Sequence, residues 1–202
     1  MKLIGVTGGV GAGKSAILSY IQEHYGARIL QADRIAEEIM QPGTVCDQRL
    51  KEVFARDGVF RSDGSLDRGA MAAVIFRDPA KRKQVNDIVH PLVKEYVIGE
   101  VEKERQQGRF SYVVLEAALL LEEGYDKICD ELWYIYADES VRAARLKEKR
   151  GYSEEKIQGI FSSQLPEETF RRCCECVIDN NTTKEAAYAQ IDRLLGAKEA
   201  DH

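Results

Sequence analysis

The sequence has little of what would indicate a polyanionic partner or a membrane. Its 202 residues carry 34 acidic and 29 basic side chains, a net charge of −5. An acidic balance argues against a nucleic acid or an anionic membrane surface as the main partner. No apolar run in the interior of the chain, such as residues 117–121, is long enough to span a bilayer. We therefore expect neither a nucleic-acid partner nor a membrane partner.

The chain also lacks a cysteine framework. Its five cysteines form an odd set without a paired C-x-x-C signature. Cys173, Cys174 and Cys176 lie close together, but their spacing is not that of a metal site and no nearby histidine completes one. Reduced, partly buried thiols are the expected state. Residues 1–4 begin like a signal peptide, but glycines from Gly5 onward break the apolar region too early. We expect a cytoplasmic protein.

A glycine-rich motif near the N-terminus is the most specific pattern that is present. Residues 8–15, Gly-Gly-Val-Gly-Ala-Gly-Lys-Ser, fit G-x-x-x-x-G-K-[ST] between an apolar run and a helical pattern. Glycines let backbone N–H groups approach phosphate oxygens without a Cβ in the way, and the following helix adds its positive dipole end. The motif predicts a nucleoside triphosphate site in which Lys14 reaches the β- and γ-phosphates and Ser15 holds Mg²⁺.

Alternating apolar runs and helical patterns predict an α/β fold of the P-loop NTPase type, with three layers and a five-stranded parallel sheet. The predicted strands are residues 2–7, 27–30, 109–115, 131–136 and 177–178. We expect one P-loop domain over residues 1–202, whose core is formed by about 1–40 and 109–202. Residues 41–108 are predicted to be a helical insertion that binds the acceptor, and residues 138–166 a helical lid.

Carboxylates close two of the predicted strands. Asp33 follows the second strand, at the edge where open α/β sheets bind ligands. There it could accept a proton from an attacking hydroxyl, or it could be the N-cap of a helix over residues 35–40. Glu116 closes the third strand, either as the acid that orders Mg²⁺ or as a solvated strand-end carboxylate. The sequence leaves both alternatives open.

Basic side chains follow the fourth strand at helical spacing. Arg142, Arg145 and Lys149 fall on one helix face, a pattern that is common in solvated charged faces. In a phosphoryl-transfer enzyme, a mobile lid of this kind neutralises charge on the transferring group, and we favour that interpretation. His90 precedes Pro91 at a predicted helix junction, where a structural role is the alternative to a functional one.

Short segments across the chain resemble, in order and spacing, the dephospho-coenzyme A kinase family over about residues 3–181. The segments are Gly5 to Ser15, Ala32-Asp33, Asp63-Gly64, Leu66-Asp67-Arg68, Phe76, Val89-His90-Pro91, Leu119-Leu120, Glu122, Asp130, Gln164 and Val177 to Asn180. The residues that depart from the family pattern are Ala16, Gln31, Glu116, Ala118, Phe170 and Glu175. Arg145 and Arg150 are five residues apart, where the family's lid arginines are usually four apart. The chain therefore resembles a divergent member.

The resemblance implies phosphorylation of the 3′-hydroxyl of dephospho-coenzyme A by ATP with Mg²⁺, the last step of coenzyme A synthesis. The implied catalytic residues are Asp33, which takes the proton, and Lys14 and Arg145, which stabilise the transferring charge. The implied ATP-binding residues are Gly9, Gly11, Ala12, Gly13, Lys14, Ser15, Ala16, Arg142 and Arg150. The implied acceptor-binding residues are Asp33, Arg68, His90, Glu116 and Glu122. Ser15 and Glu116 are the implied metal ligands.

Two other classes of function stay open. Other small-molecule P-loop kinases, such as nucleoside monophosphate, gluconate or shikimate kinases, share the loop and the lid but differ in the acceptor-binding insertion. A nucleotide-binding module without kinase chemistry is the second class. A GTP switch would carry Asn-Lys-x-Asp, which residues 181–184 do not supply. For assembly we expect a monomer, with a weak oligomer as the alternative.

Overall fold

The computed structural model of the chain describes residues 1–199. Within that range, five strands form one sheet in the order β2-β3-β1-β4-β5. They are β1 (Lys2–Thr7), β2 (Arg28–Gln31), β3 (Tyr112–Glu116), β4 (Glu131–Tyr136) and β5 (Cys176–Asp179). The pairs of β1 with β3, β1 with β4 and β4 with β5 are parallel. The predicted five-stranded parallel sheet is confirmed, with β1 at its centre.

The chain forms two compact units, of which one comprises Met1–Leu30 with the chain from Glu104 onward and the other comprises Gln31–Lys103. The first contains most of the sheet, and the second is mainly helical. The helices are α1 (Lys14–Tyr25), α2 (Ala32–Ile39), α3 (Val45–Phe54), α4 (Arg68–Arg77), α5 (Pro79–Gln107), α6 (Glu139–Arg150), α7 (Glu154–Ser162), α8 (Glu167–Cys173) and α9 (Lys184–Glu199). None of these described helices is both long and apolar enough to cross a membrane.

The central strand β1 is apolar on both faces because both faces are buried. Ile4 and Val6 point to the side where Ile17 of α1 and Ile191 of α9 complete one core cluster. Leu3, which points to the other face, is also fully buried. Residues that alternate along a strand point to opposite faces, so an uninterrupted apolar strand needs cover on both sides. The carboxyl end of β1 is open to polar chemistry.

Helix α5 corrects the prediction of two helices that meet at His90. Residues 79–107 form one helix of 29 residues with Pro91 inside it. Proline removes one backbone donor and usually kinks or breaks a helix. Here an apolar stripe at four-residue intervals is buried on both sides of the proline, and its packing offsets that loss. The stripe consists of Val89, Val93, Val97 and Val101. His90 is half-buried within this helix, and its role toward an acceptor stays a prediction.

Glu104, near the end of α5, is a fully buried carboxylate in the first unit. It accepts hydrogen bonds from Arg28 of β2 and from Arg109, whose Nε lies 3.2 Å from Glu104 Oε2. The hydrogen bond from Arg109 is the main cause that holds the pKa of Glu104 below its ordinary value, with help from Arg28 and against desolvation. The carboxylate thereby links β2, α5 and the segment before β3.

We expect Glu104→Gln to lower the Tm at pH 7 by more than about 4 °C, because two guanidinium groups would then face a neutral amide in a buried position. The folded pKa of Glu104 is depressed, so its contribution is complete above the ordinary value of 4.5 and is lost as the pH falls through the folded value. The difference in Tm between wild type and variant should therefore shrink below about pH 4.

Thermal unfolding followed by circular dichroism between pH 3 and 7 measures this difference. Glu102→Gln is the matched control, because Glu102 is exposed on the same helix, and it should leave the Tm unchanged. Equal Tm values for Glu104→Gln and wild type at pH 7 would contradict the prediction.

Candidate active site

The predicted phosphate loop joins the carboxyl end of β1 to the first residue of α1. Gly11 and Gly13 have φ values of 88° and 91°, a left-handed conformation that glycine adopts without steric cost. A Cβ at Gly13 would also lie 2.4 Å from Asn180 Nδ2. Gly13 is the N-cap of α1 and provides no side-chain hydrogen bond. The first N–H groups of α1 are therefore not capped by that residue, as an anion-binding helix N-terminus requires.

Lys14 lies between a loop carbonyl and a carboxylate. Its Nζ donates to Gly8 O at 2.7 Å and lies 3.7 Å from Glu116 Oε1. The two side chains are only 14% and 13% exposed. The parallel register of β1 and β3 pairs Val6 with Glu116, which brings this carboxylate to the base of the loop. Glu116 is therefore part of the charged site and not a solvated strand-end acid.

The oxygen groups beside Lys14 fit Mg²⁺ bound together with a nucleotide. Ser15 supplies an exposed hydroxyl and Glu116 a carboxylate. Mg²⁺ on a triphosphate needs only one or two protein carboxylate or hydroxyl ligands, because phosphates and water complete its shell. Among residues 1–199, no group of three or more His, Cys, Asp or Glu side chains is placed to hold a metal. The donor set therefore fits a nucleotide-borne metal better than a metal held by protein alone.

Arg145 and Asn180 converge on the carbonyl of Ala12. Arg145 Nη1 and Asn180 Nδ2 donate to Ala12 O at 3.3 and 2.7 Å, and Arg145 Nη2 donates to Asn180 O at 2.7 Å. Asn180 is buried, and its backbone N–H donates to Tyr136 O at 2.8 Å. Two donors on one acceptor fix the orientation of the Ala12 peptide. In the structure, Arg145 thus holds the loop itself in place.

Arg142 lies against the opposite part of the loop. Its Nη1 donates to Gln164 Oε1 at 2.8 Å, and its guanidinium carbon lies 4.3 Å from the ring centroid of Phe161. A Cβ at Gly9 would lie 2.0 Å from Nη1. These groups border a cleft of about 240 Å³ at the carboxyl end of β4. Its lining residues are Gly9, Tyr134, Tyr136, Ala137, Asp138, Glu139, Arg142, Phe161, Gln164, Leu165, Pro166, Glu167 and Phe170.

Two tyrosines of this cleft stay neutral at physiological pH. Burial raises the pKa of Tyr134 to about 12. The hydrogen bond that Tyr136 donates to Asp138 raises the pKa of Tyr136. Neither phenol adds a negative charge beside Arg142. These two side chains therefore do not repel an anion that binds at the loop.

Two predicted site residues of the first unit lie apart from the loop. Arg150, the last residue of α6, is exposed, and its guanidinium lies 5.9 Å from the ring centroid of Tyr152. Five residues on a helix turn a side chain well away from that of Arg145. Glu122 is exposed in the turns that follow β3. Within the described chain, neither makes a hydrogen bond or an ion pair with the loop, and their assigned roles stay predictions.

Asp33 and Arg68 belong to the second unit. Asp33 is exposed in the first turn of α2, whose N-cap is Gln31. The interpretation of Asp33 as an N-cap is therefore wrong, because the helix starts directly after β2. Arg68 Nη1 lies 2.7 Å from Glu37 Oε1, one helical turn beyond Asp33. A cleft of about 220 Å³ adjoins Arg68 and is lined by Met40, Gln41, Pro42, Arg61, Ser65, Leu66 and Arg68.

Two residues that contact this site, Asn180 and Gln164, are not among the predicted site residues. Both lie in segments that carry the family resemblance, which is the only sequence signal for them. Their partners are 168 and 22 positions away, so no local pattern reveals the contacts.

The chain is similar to several known proteins. The family model for dephospho-CoA kinase matches residues 2–185. The dephospho-CoA kinase of Shouchella clausii (strain KSM-K16) is 35% identical over 190 residues, which cover 93% of this chain and 94% of that protein. The dephospho-CoA kinase structure from Campylobacter jejuni shares the fold with a TM-score of 0.74 at 18% identity, over 100% of both chains.

The structure of TT1252 from Thermus thermophilus is also similar, with a TM-score of 0.82 at 26% identity over 98% of this chain and 97% of that one. The predicted P-loop NTPase-type α/β fold is thereby confirmed. The family match spans nearly the whole chain, and the relative at 35% identity is covered almost completely. This chain belongs to the dephospho-CoA kinase family.

Proposed function

We propose that this chain transfers the γ-phosphoryl group of ATP to the 3′-hydroxyl of dephospho-coenzyme A, which gives coenzyme A and ADP. Membership of the family supports the acceptor and the donor. The observation that carries the proposal is the partly buried Lys14 ammonium, held between Gly8 O and Glu116 within a glycine loop at a helix N-terminus. This arrangement favours the binding of a triphosphate, with its terminal phosphate beside a fixed positive charge.

Charge neutralisation and positioning account for most of the proposed mechanism. The transition state of phosphoryl transfer is loose, so little covalent chemistry is left for the protein. The loop N–H groups and Lys14 bind the phosphates, while Arg145 and Asn180 hold the loop peptide at Ala12. When Mg²⁺ is bound by Ser15 and Glu116, it neutralises charge on the phosphate oxygens. Together with Lys14, one or more of Arg142, Arg145 and Arg150 stabilises the charge on the transferring phosphoryl group.

We assign binding of the acceptor mainly to residues of the second unit. Asp33 takes the proton of the 3′-hydroxyl, and its carboxylate is not used as a helix cap. Arg68, at the cleft in this unit, binds the anionic part of the acceptor together with His90. We further propose that the chain acts as a monomer. No disulfide links the five cysteines, which fits the reducing cytoplasm that we propose.

Mass spectrometry of a reaction with ATP, Mg²⁺ and dephospho-coenzyme A tests this function. We expect the acceptor to gain one phosphoryl group for each ADP formed, and no product in excess EDTA. Parallel reactions contain a nucleoside monophosphate, gluconate or shikimate as the acceptor. An unchanged dephospho-coenzyme A beside a phosphorylated rival would identify another small-molecule kinase. ATP that binds without transfer to any acceptor would identify a binding module.

A further inference from the structure

We propose that Gln164 is a positioning residue that holds the Arg142 guanidinium against Gly9 of the phosphate loop. A bound triphosphate then meets a positive charge that is already in place. The inference rests on the proposed function only in taking this loop as the nucleotide site.

The contact between Arg142 and Gln164 joins two elements across the cleft. Arg142 lies near the start of α6, and Gln164 lies two residues beyond the end of α7. Arg142 Nη1 donates to Gln164 Oε1 at 2.8 Å. A glutamine oxygen is a neutral acceptor, so it orients the guanidinium without cancelling its charge. A glutamate at this position would form an ion pair and remove the field that a phosphate could use.

Two further groups define where the guanidinium lies. The ring of Phe161 stacks against it, 4.3 Å from the guanidinium carbon. On the side of the loop, a Cβ at Gly9 would lie 2.0 Å from Nη1 and 2.8 Å from the guanidinium carbon. Gly9 is not one of the glycines with a positive φ. A side chain at this position would therefore displace the Arg142 guanidinium, whereas the backbone conformation itself does not call for glycine.

The surroundings leave the positive charge of Arg142 largely uncompensated. Arg142 Nη2 lies 3.7 Å from Glu139 Oε1, but the Glu139 side chain is 72% exposed while that of Arg142 is 12% exposed. Such an exposed carboxylate neutralises little of the charge of Arg142, because solvent screens the interaction. Arg142 Nε is buried without a hydrogen-bond partner in the described chain. A guanidinium selected only for stability would satisfy that donor, so the arrangement favours a role toward a ligand.

ATP binding measured by isothermal titration calorimetry, with Mg²⁺ and without acceptor, tests the proposal. Gln164→Leu should raise the Kd for ATP about tenfold, the size of one lost charge-assisted contact. Arg142→Ala should do the same. The double variant Arg142→Ala/Gln164→Leu should bind no more weakly than Arg142→Ala, because Gln164 acts through Arg142. Gln158→Leu, at an exposed position on α7, is the matched control and should change the Kd less than about twofold.

Gly9→Ala should displace the same guanidinium from the side of the loop, because the added Cβ would overlap with it. We expect it to weaken ATP binding about tenfold in the wild-type background and to have little effect in the Arg142→Ala background. An unchanged Kd in Gln164→Leu, or additive losses in the double variant, would overturn the proposal. If Gln164→Leu does not fold, the Gly9→Ala pair decides in its place. Because no acceptor is present, a failure to phosphorylate dephospho-coenzyme A would contradict the proposed function and leave this inference standing.

Discussion

Lys14→Ala is expected to lower kcat/KM for ATP by about 10³, because it removes the fixed charge beside the terminal phosphate. The loss has two parts. The ammonium no longer stabilises the transferring group, and Glu116, only 13% exposed, becomes a carboxylate without its counter-ion. An unpaired carboxylate at the base of the loop repels the triphosphate. Steady-state kinetics with the mass-spectrometric readout measures the loss.

A second substitution separates the two parts of this effect. In Lys14→Ala/Glu116→Gln the repulsion is gone but the proposed Mg²⁺ ligand is lost as well, so the Kd for ATP measured without Mg²⁺ should be lower than in Lys14→Ala while turnover stays low. Lys127→Ala, at an exposed position in the first unit, is the control for the removal of one lysine and should keep full activity. A decrease of less than about tenfold in kcat/KM for Lys14→Ala would show that the charge is not part of the transfer step.

Asp33→Asn is expected to lower kcat by 10²–10⁴, roughly the range typical of general-base assistance. The substitution keeps the shape of the side chain and removes its ability to accept a proton. Since Gln31 and not Asp33 is the N-cap of α2, the variant should retain its helix and its Tm. The KM for ATP should also stay near the wild-type value, because the assigned role concerns the acceptor hydroxyl.

Glu38→Gln is the matched control for this experiment, because it replaces an exposed acid by its amide on the same helix. It should leave kcat unchanged. If Asp33→Asn keeps kcat within about threefold of the wild type, Asp33 has no role as a proton acceptor. If Tm falls as much as in a destabilised core variant, the role of Asp33 is instead to stabilise α2.

The loop is held from two sides by residues distant in sequence. Asn180, after β5, and Arg145 of α6 fix the Ala12 carbonyl. Arg142 and Gln164 act at Gly9. The loop glycines permit close approach but are flexible by themselves. Contacts from β5, α6 and the end of α7 supply the order that a preorganised phosphate site requires.

The prolonged helix α5 shows where local sequence signals fail. Pro91 indicated a helix boundary, because proline removes a donor and clashes with the preceding turn. The buried valines on both sides of Pro91 kept the helix continuous, and their burial depends on partners that a local pattern does not contain. Tertiary packing routinely outweighs propensity in this way.

The sequence alone determined the phosphate loop, the five strands, the parallel sheet and the family, because these depend on short motifs and on periodic burial of apolar residues. Tertiary structure decided the pairing of Lys14 with Glu116, the attachment of Arg145 to the loop carbonyl and the placement of Arg142 by Gln164. Five arginine or lysine positions on one helical segment look alike in a sequence. Which of them faces the loop depends on how α6 lies against the phosphate loop and the segment after β5, and these contacts join residues more than a hundred positions apart.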